Sequence, residues 1–172
     1  MRSVAFFRNL NLGQAKSPTK DQLVCSFTTV GAKNVRSFQV NGTVVFTASR
    51  PEETVARTLA LLRPVCRYRD VALVRPETLI LDLAEHLATE GLVDQAEVSF
   101  FDHVTDFPVD MPFRVPRRRC EVREIGAGYA VTLNERPHEG NATRALEELL
   151  GVPVTSRSVS TIIRLARSLQ AD

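Results

Sequence analysis

The dipeptide Asn41-Gly42 constrains this chain more than any other feature. A two-residue hairpin turn needs positive φ at both central positions, and asparagine and glycine tolerate it best. The pair lies between two apolar runs, residues 35–40 and 43–48, which therefore read as the arms of a β-hairpin. A helical pattern flanks the hairpin on each side. Before it, Thr19 can cap a helix with Gln22 as capping-box partner. Leu23, Phe27 and Val30 then recur at helical spacing, and Gly31 stands where a helix closes. After the hairpin, Ser49-Arg50-Pro51-Glu52 reads as a second capping box, opening a helix with Val55, Leu59 and Leu62 on one face. Pro64 ends that helix or distorts its last turn. Apolar runs at residues 3–8 and 70–75 read as the outer strands. The order is β-α-β-β-α-β, the split-βαβ or ferredoxin-like pattern, which predicts an antiparallel sheet with two helices on one face.

Residues 76–172 follow a looser version of that order. A helix is expected over 76–88, with Leu79, Ile80, Leu83 and Leu87 as its apolar face. A strand follows at 97–102, then a proline-rich loop over 103–116. Strands at 119–124 and 129–134 turn through Gly126-Ala127-Gly128. Asn141 is placed to cap a helix that Gly151 closes. A strand at 152–156 precedes a last helix, capped by Ser158 or Ser156, with Val159, Ile162, Ile163 and Ala166 on one face. The proline loop stands where the first half has its first helix. The expected fold class is thus α+β: two ferredoxin-like plaits in tandem with antiparallel sheets, one over residues 1–75 and a degenerate one over 76–172, forming one compact unit.

A hydrophobic content of 44% over 172 residues is ample for a core. Runs such as Leu79-Ile80-Leu81 are far too short to span a membrane, and the opening apolar stretch is too short for a signal peptide. Three scattered cysteines, Cys25, Cys66 and Cys120, argue against a disulfide framework and for a reducing, cytoplasmic location. Charge is uneven. Residues 1–75 hold twelve basic and four acidic side chains, or +8, and residues 76–172 hold ten and sixteen, or −6. Residues 76–113 carry nine acids and no lysine or arginine, whereas 114–123 carry five arginines and one acid. Such asymmetry marks either a polyanion surface or solvated faces of opposite sign.

Four features are chemical candidates. The loop after the first strand carries Arg8, Asn11 and Gly13 just before a helix start, where free N–H groups and the helix dipole favour an anion. The alternative is a loop that only shapes its own turn. The P-loop spacing is absent. The hydroxyl-rich run from Thr155 to Thr161, with Arg157 as counter-charge, is either an anion site or an ordinary helix cap. Arg114, Arg117, Arg118 and Arg119 form a candidate basic patch, though such a run is more often a solvated sheet edge. Cys120 adjoins that run but reads as an inert buried thiol. The histidines His86, His103 and His138 lack metal or triad spacing, and His103, near Asp102 and Asp106, reads as a loop residue. No metal site and no cofactor motif is expected, and no catalytic residue can be named.

These positions carry a resemblance. The chain resembles the family known as domain of unknown function 1697, whose members open with an L-R-G-I-N-V-G-like motif after the first strand. Arg8, Asn11 and Gly13 match it here, followed by Lys16 and Pro18. An S-G-N-V-V-F-like hairpin is matched by Gly42, Val44, Val45 and Phe46. A closing T-x-R-N-W-N-T-like motif is matched by Thr155, Arg157, Thr161 and Leu165. Asn9 stands in place of a glycine, Thr43 in place of an asparagine, and Ser158-Val159-Ser160 in place of Asn-Trp-Asn. The resemblance implies a pair of α+β plaits and brings no settled activity.

The sequence does not fix a biochemical function. Its leading reading is a non-enzymatic binding module for an anionic small molecule or nucleic acid, with Arg8, Asn11, Gly13, Arg157 and Thr161 as ligand contacts. Phe6, Phe7, Phe38 and Phe46, on expected strands, would be the stacking side chains for bases. A second reading is an enzyme for a small phosphorylated or carboxylated substrate. A third is a protein-interaction or assembly module, a second copy of the chain included. A membrane partner is not expected.

Overall fold

A computed structural model describes residues 1–89, 91, 94–102, 107 and 109–171. They form two antiparallel sheets, of four and five strands, with five helices, an α+β fold. The chain divides into two compact units, Met1–Glu77 and Thr78–Asp172. Among the described residues, no helix is long and apolar enough to cross a membrane.

The first unit runs β1 (Arg2–Phe7), α1 (Lys20–Thr29), β2 (Lys33–Phe38), β3 (Thr43–Thr47), α2 (Pro51–Val65), β4 (Ala72–Pro76). Its strands lie in the order β2-β3-β1-β4, each antiparallel to its neighbours. Alternation along the strands sends Ala5, Phe7, Val44 and Phe46 into one core with Leu23 and Phe27 of α1 and Val55 and Leu62 of α2. Phe27 lies 4.9 Å from Phe46 and 6.1 Å from Phe7 between ring centroids. Val4, Phe6 and Val45, of the opposite parity, are buried as well, which is why these strands are apolar on both faces. The threonines on the buried face of α2 are satisfied internally. Thr54 and Thr58 donate to the carbonyls four residues back, at 2.9 Å each.

Two local expectations are corrected here. The hairpin turn is longer than Asn41-Gly42 alone, because Phe38 pairs with Thr43 and leaves residues 39–42 as the connection. Gln39 takes a φ of +62° and Gly42 one of +69°. Gly42 is also needed for space, since a Cβ there would lie 2.8 Å from that of Phe7. The Thr19–Gln22 capping box forms as expected. The Ser49 box does not: Arg50 is the N-cap without a side-chain cap bond, and Pro51 occupies the first turn. Arg50 instead pairs with Glu53 at 2.6 Å.

The second unit contains α3 (Glu77–Thr89), whose first residue belongs to unit one, then β5 (Ala96–Phe101), β6 (Phe113–Val115), β7 (Cys120–Gly126), β8 (Tyr129–Asn134), α4 (Ala142–Leu150), β9 (Val154–Ser158) and α5 (Val159–Gln170). The sheet order is β6-β7-β8-β5-β9. Without β6, the order β7-β8-β5-β9 repeats β2-β3-β1-β4 of the first unit strand for strand. The expected proline loop therefore contains a strand. Phe113–Val115 pairs with Cys120–Val122, and the arginine run forms the turn between them, with Arg117 and Arg119 at φ +63° and +52°. Phe101, Val122, Ala130 and Val154 pack with Ala145 and Leu146 of α4 in this unit's core.

The helix ends of this unit follow the sequence in part. Gly151 closes α4 in the left-handed conformation, and Ser158 caps α5 by accepting from the Thr161 N–H at 3.3 Å. Asn141 precedes α4 but its side chain makes no cap bond. The Glu97 carboxylate takes that place, accepting from the Ala142 N–H at 3.1 Å and from Asn134 Nδ2 at 3.0 Å. A carboxylate at a helix start also meets the positive end of the dipole. On α5, Leu165 and Leu169 are buried, whereas Ile163 is only partly so.

Candidate anion-binding cleft

Strand β1 runs antiparallel to β4, so the end of one meets the start of the other, with Phe7 opposite Ala72. That pairing brings the segment after β1 against residues 66–71, which connect α2 to β4. Tyr68 is one of the side chains that tie the two together. The Tyr68 hydroxyl donates to the Arg8 carbonyl at 2.6 Å and lies 2.9 Å from the Val71 carbonyl. The Arg8 N–H closes the same corner on Val71 at 3.0 Å. The Tyr68 ring is 6% exposed and packs 6.0 Å from Phe7.

Between the two segments lies a cleft of about 510 Å³, lined by Arg8, Asn9, Asn11 and residues 14–17 on one side and residues 67–70 on the other. Four of these side chains are cationic (Arg8, Lys16, Arg67, Arg69) and one is acidic, Asp70. Asp70 orders one wall. Its Oδ2 accepts from Arg8 Nη1 at 2.7 Å and from Asn9 Nδ2 at 2.9 Å, while Oδ1 accepts from its neighbour's N–H at 2.8 Å. Arg69 is held by the carbonyls of Cys66 and Tyr68 at 2.9 and 2.7 Å. Lys16 and Arg67 are exposed and pair with no carboxylate among the described residues. With one cation neutralised by Asp70, three remain facing a concave surface, an arrangement that lowers the energy of an anion held there.

Each candidate residue has a definite place. Arg8 and Asn11 line this cleft. Gly13 lies at the adjoining groove of about 410 Å³ with Leu12, Thr19 and Val40. Its φ of +78° and its N–H bond to the Pro18 carbonyl at 3.0 Å give it a part in the turn. The N–H groups of Thr19 and Gln22 are taken by the expected capping box at 2.9 and 3.2 Å.

Arg157 and Thr161 belong to the second unit. Arg157 is 8% exposed, and its guanidinium donates to Thr155 Oγ1 at 2.9 Å and to the Ser156 carbonyl at 2.8 Å. Thr161 Oγ1 accepts from the Ser158 hydroxyl at 2.9 Å, so its hydroxyl and N–H both serve the helix cap. In the arginine run, Arg114 pairs with Glu135, Arg118 with Glu148, and Arg119 with Glu135 and Glu139. Arg117 is exposed, with no ion pair among the described residues. Phe6, Phe7 and Phe46 are at most 1% exposed, so they fill the interior and offer no stacking face.

Cys120 is buried, and burial, reinforced by the Glu97 carboxylate, pushes its thiol up to about 11. That is the opposite of activation, whatever the neighbouring arginines contribute. His103 and Asp106 lie outside the described residues. His86, which has no partner by spacing in the sequence, gains one through the fold. Its Nε2 lies 3.1 Å from Glu124 Oε2, and the other oxygen of Glu124 accepts from the Tyr129 hydroxyl at 2.7 Å. Burial, and then the Glu124 contact, push Tyr129 up to about 12.

Residues 67–70 do not stand out as site residues in the sequence, because Asp70 reads as the start of the following strand and 67–69 carry no strand or helix signal of their own. The signal available was Arg67-Tyr68-Arg69-Asp70, a polar run around one aromatic residue just after a helix. No periodicity places such a run beside Arg8; the pairing of β1 with β4 does.

The comparisons with known proteins are consistent with this architecture. A solved structure described as a conserved bacterial protein, SP0830, from Streptococcus pneumoniae superposes with a TM-score of 0.64 at 13% identity, covering 98% of each chain. Likeness at that identity speaks to the fold alone. No curated protein matches the chain. The family described as "Protein of unknown function (DUF1697)" matches residues 1–107, which include β1 to β4, the cleft loops and the hairpin. The chain belongs to the DUF1697 family.

Proposed function

We propose that the protein is a binding module for a small anionic ligand, a phosphate or carboxylate, taken up in the cleft of the first unit. The observation that carries this reading is the lining itself: four cations against one acid around a concavity of about 510 Å³. Concave sites of a few hundred Å³ suit small molecules. Arg8 is pre-positioned by Asp70 and by the Tyr68 clamp on its carbonyl, so little ordering is needed on binding. Lys16 and Arg67 supply charge that is not committed to a carboxylate of the described protein.

A small ligand fits better than a nucleic acid. Three of the four candidate patch arginines are engaged by glutamates of their own unit, and the phenylalanines considered for base stacking are largely interior. The same reading takes the first unit as a ferredoxin-like plait, supported by its element and strand orders, and places the protein in the cytoplasm, supported by three free cysteines.

The test is a thermal-shift and calorimetric titration with inorganic phosphate, phosphate esters and small carboxylates. A ligand that binds only the folded state stabilises it by about 2.7 kcal/mol at a hundredfold excess over its dissociation constant. Such a shift should be present in the natural chain and absent in the double variant Lys16→Ala, Arg67→Ala. Binding unchanged in that variant would remove the cleft from consideration.

A further inference from the structure

We infer that the ligand of this cleft carries hydroxyl groups as well as its anionic group, so that its class is a phosphorylated sugar or polyol. This rests on the anion-binding reading above and extends it. The cations account for only part of the lining. Asn9, Asn11 and Gln14 put three carboxamides on the wall opposite Arg67 and Arg69, and Ser17 adds a hydroxyl. A carboxamide offers a donor and an acceptor side by side, and a hydroxyl on a ligand is both at once. A bare anion accepts hydrogen bonds and donates none, so it would leave the amide oxygens without a ligand partner and the Asp70 carboxylate facing like charge.

Asp70 carries the argument further. A carboxylate has about four acceptor positions. Three of those on Asp70 are filled, by Arg8 Nη1 and Asn9 Nδ2 on Oδ2 and by the Val71 N–H on Oδ1. The remaining position on Oδ1 suits a hydroxyl donor and repels an anion. Lys16, Arg67 and Arg69 are left for a phosphate dianion. The cleft is thus divided by chemistry, with cations for a phosphate and a carboxylate with amides for hydroxyls.

The experiment is calorimetric titration of the full chain with inorganic phosphate, phenyl phosphate, ribose 5-phosphate and adenosine 5′-monophosphate. Phenyl phosphate carries the same anionic group on an ester without hydroxyls. One or two neutral hydrogen bonds correspond to about a tenfold gain in affinity. Ribose 5-phosphate is expected to bind about tenfold tighter than phenyl phosphate. The nucleotide shares the phosphate and hydroxyl chemistry, and its rank against ribose 5-phosphate shows whether a nucleotide or a free sugar phosphate is the source. In Asp70→Asn and, separately, in Asn11→Ala, the preference over phenyl phosphate should shrink while inorganic phosphate still binds. Asn11 is exposed, so its substitution leaves the core untouched. Equal affinity for ribose 5-phosphate and phenyl phosphate overturns the hydroxyl inference and leaves the anion reading standing. No binding of any phosphate compound overturns both. A sugar-phosphate preference unchanged in both variants places the ligand outside this cleft and overturns the inference.

Discussion

Removing one oxygen atom from Tyr68 should loosen the corner on which the cleft is built. Tyr68→Phe keeps the ring, its burial and its packing against Phe7 at 6.0 Å. It deletes the hydroxyl that donates to the Arg8 carbonyl at 2.6 Å and lies 2.9 Å from that of Val71. The Val71 carbonyl still receives the Arg8 N–H at 3.0 Å, so the loss falls mainly on Arg8. A buried hydrogen bond removed from one side costs about 1–3 kcal/mol. Because one of the two carbonyls keeps its backbone partner, a value near about 1–2 kcal/mol is expected. With a urea dependence of about 2 kcal/mol per molar, the unfolding midpoint should fall by roughly half a molar to one molar. Tyr68→Ala, which also empties the ring's volume, should cost about 3–5 kcal/mol. Urea denaturation followed by far-ultraviolet circular dichroism on the three proteins separates the hydroxyl from the ring. A Tyr68→Phe effect below about 0.5 kcal/mol, the range of an ordinary surface change, would refute the clamp. A large Tyr68→Ala effect beside it would then assign Tyr68 to packing alone.

Three further outcomes are expected. A Cβ at Gly126 would lie 2.1 Å from the Tyr129 ring, so Gly126→Ala should cost about 1–3 kcal/mol and much less in a Tyr129→Ala background, as a double-mutant cycle would measure. Cys25 is exposed and should react promptly with a disulfide reagent at pH 8, while Cys120, buried and with its thiol pushed up to about 11, should react only after unfolding, as timed thiol titration would show. The raised Tyr129 pKa, about 12 against an unfolded value of about 10, implies that the unfolded chain gives up this proton first. Its contribution to stability is therefore whole below about pH 10 and lost as pH rises toward the folded value, so the difference between the natural chain and Tyr129→Phe in denaturation midpoint should narrow over that window.

Much of this fold was legible in the chain because its signals are local. The Thr19–Gln22 capping box, the closing Gly151 and the Ser158 cap each depend on residues within three or four positions, and each is read from side-chain chemistry alone. The order of strands and helices in the first unit followed from the same short-range patterns. Local rules failed where a distant group took over. Asn141 was the natural cap for α4 by position, but Glu97, forty-five residues earlier in the chain, reaches its first N–H instead. Phe113–Val115 is too short to announce itself as a strand and exists because β7 offers it an edge. The arginine run looked like a basic surface because sequence counts charge without showing partners. Glu135, Glu139 and Glu148 meet it through pairing and turns that bring residues sixteen to thirty positions apart into contact.

The candidate site divides the same way. Arg8 and Asn11 stood out in the sequence because a polar run leaving a buried strand just before a helix is well placed to meet a ligand. Asp70, Arg67, Arg69 and Tyr68 did not, since they lie some sixty residues away and only the antiparallel pairing of β1 with β4 sets them opposite Arg8. The chain by itself determined most of the strands, the helices and where cationic loops leave the core, because propensity, capping and alternation act over a few residues. Tertiary structure alone decided which charges are neutralised and which face a cleft, because electrostatic pairing depends on distance in space and strand pairing sets that distance.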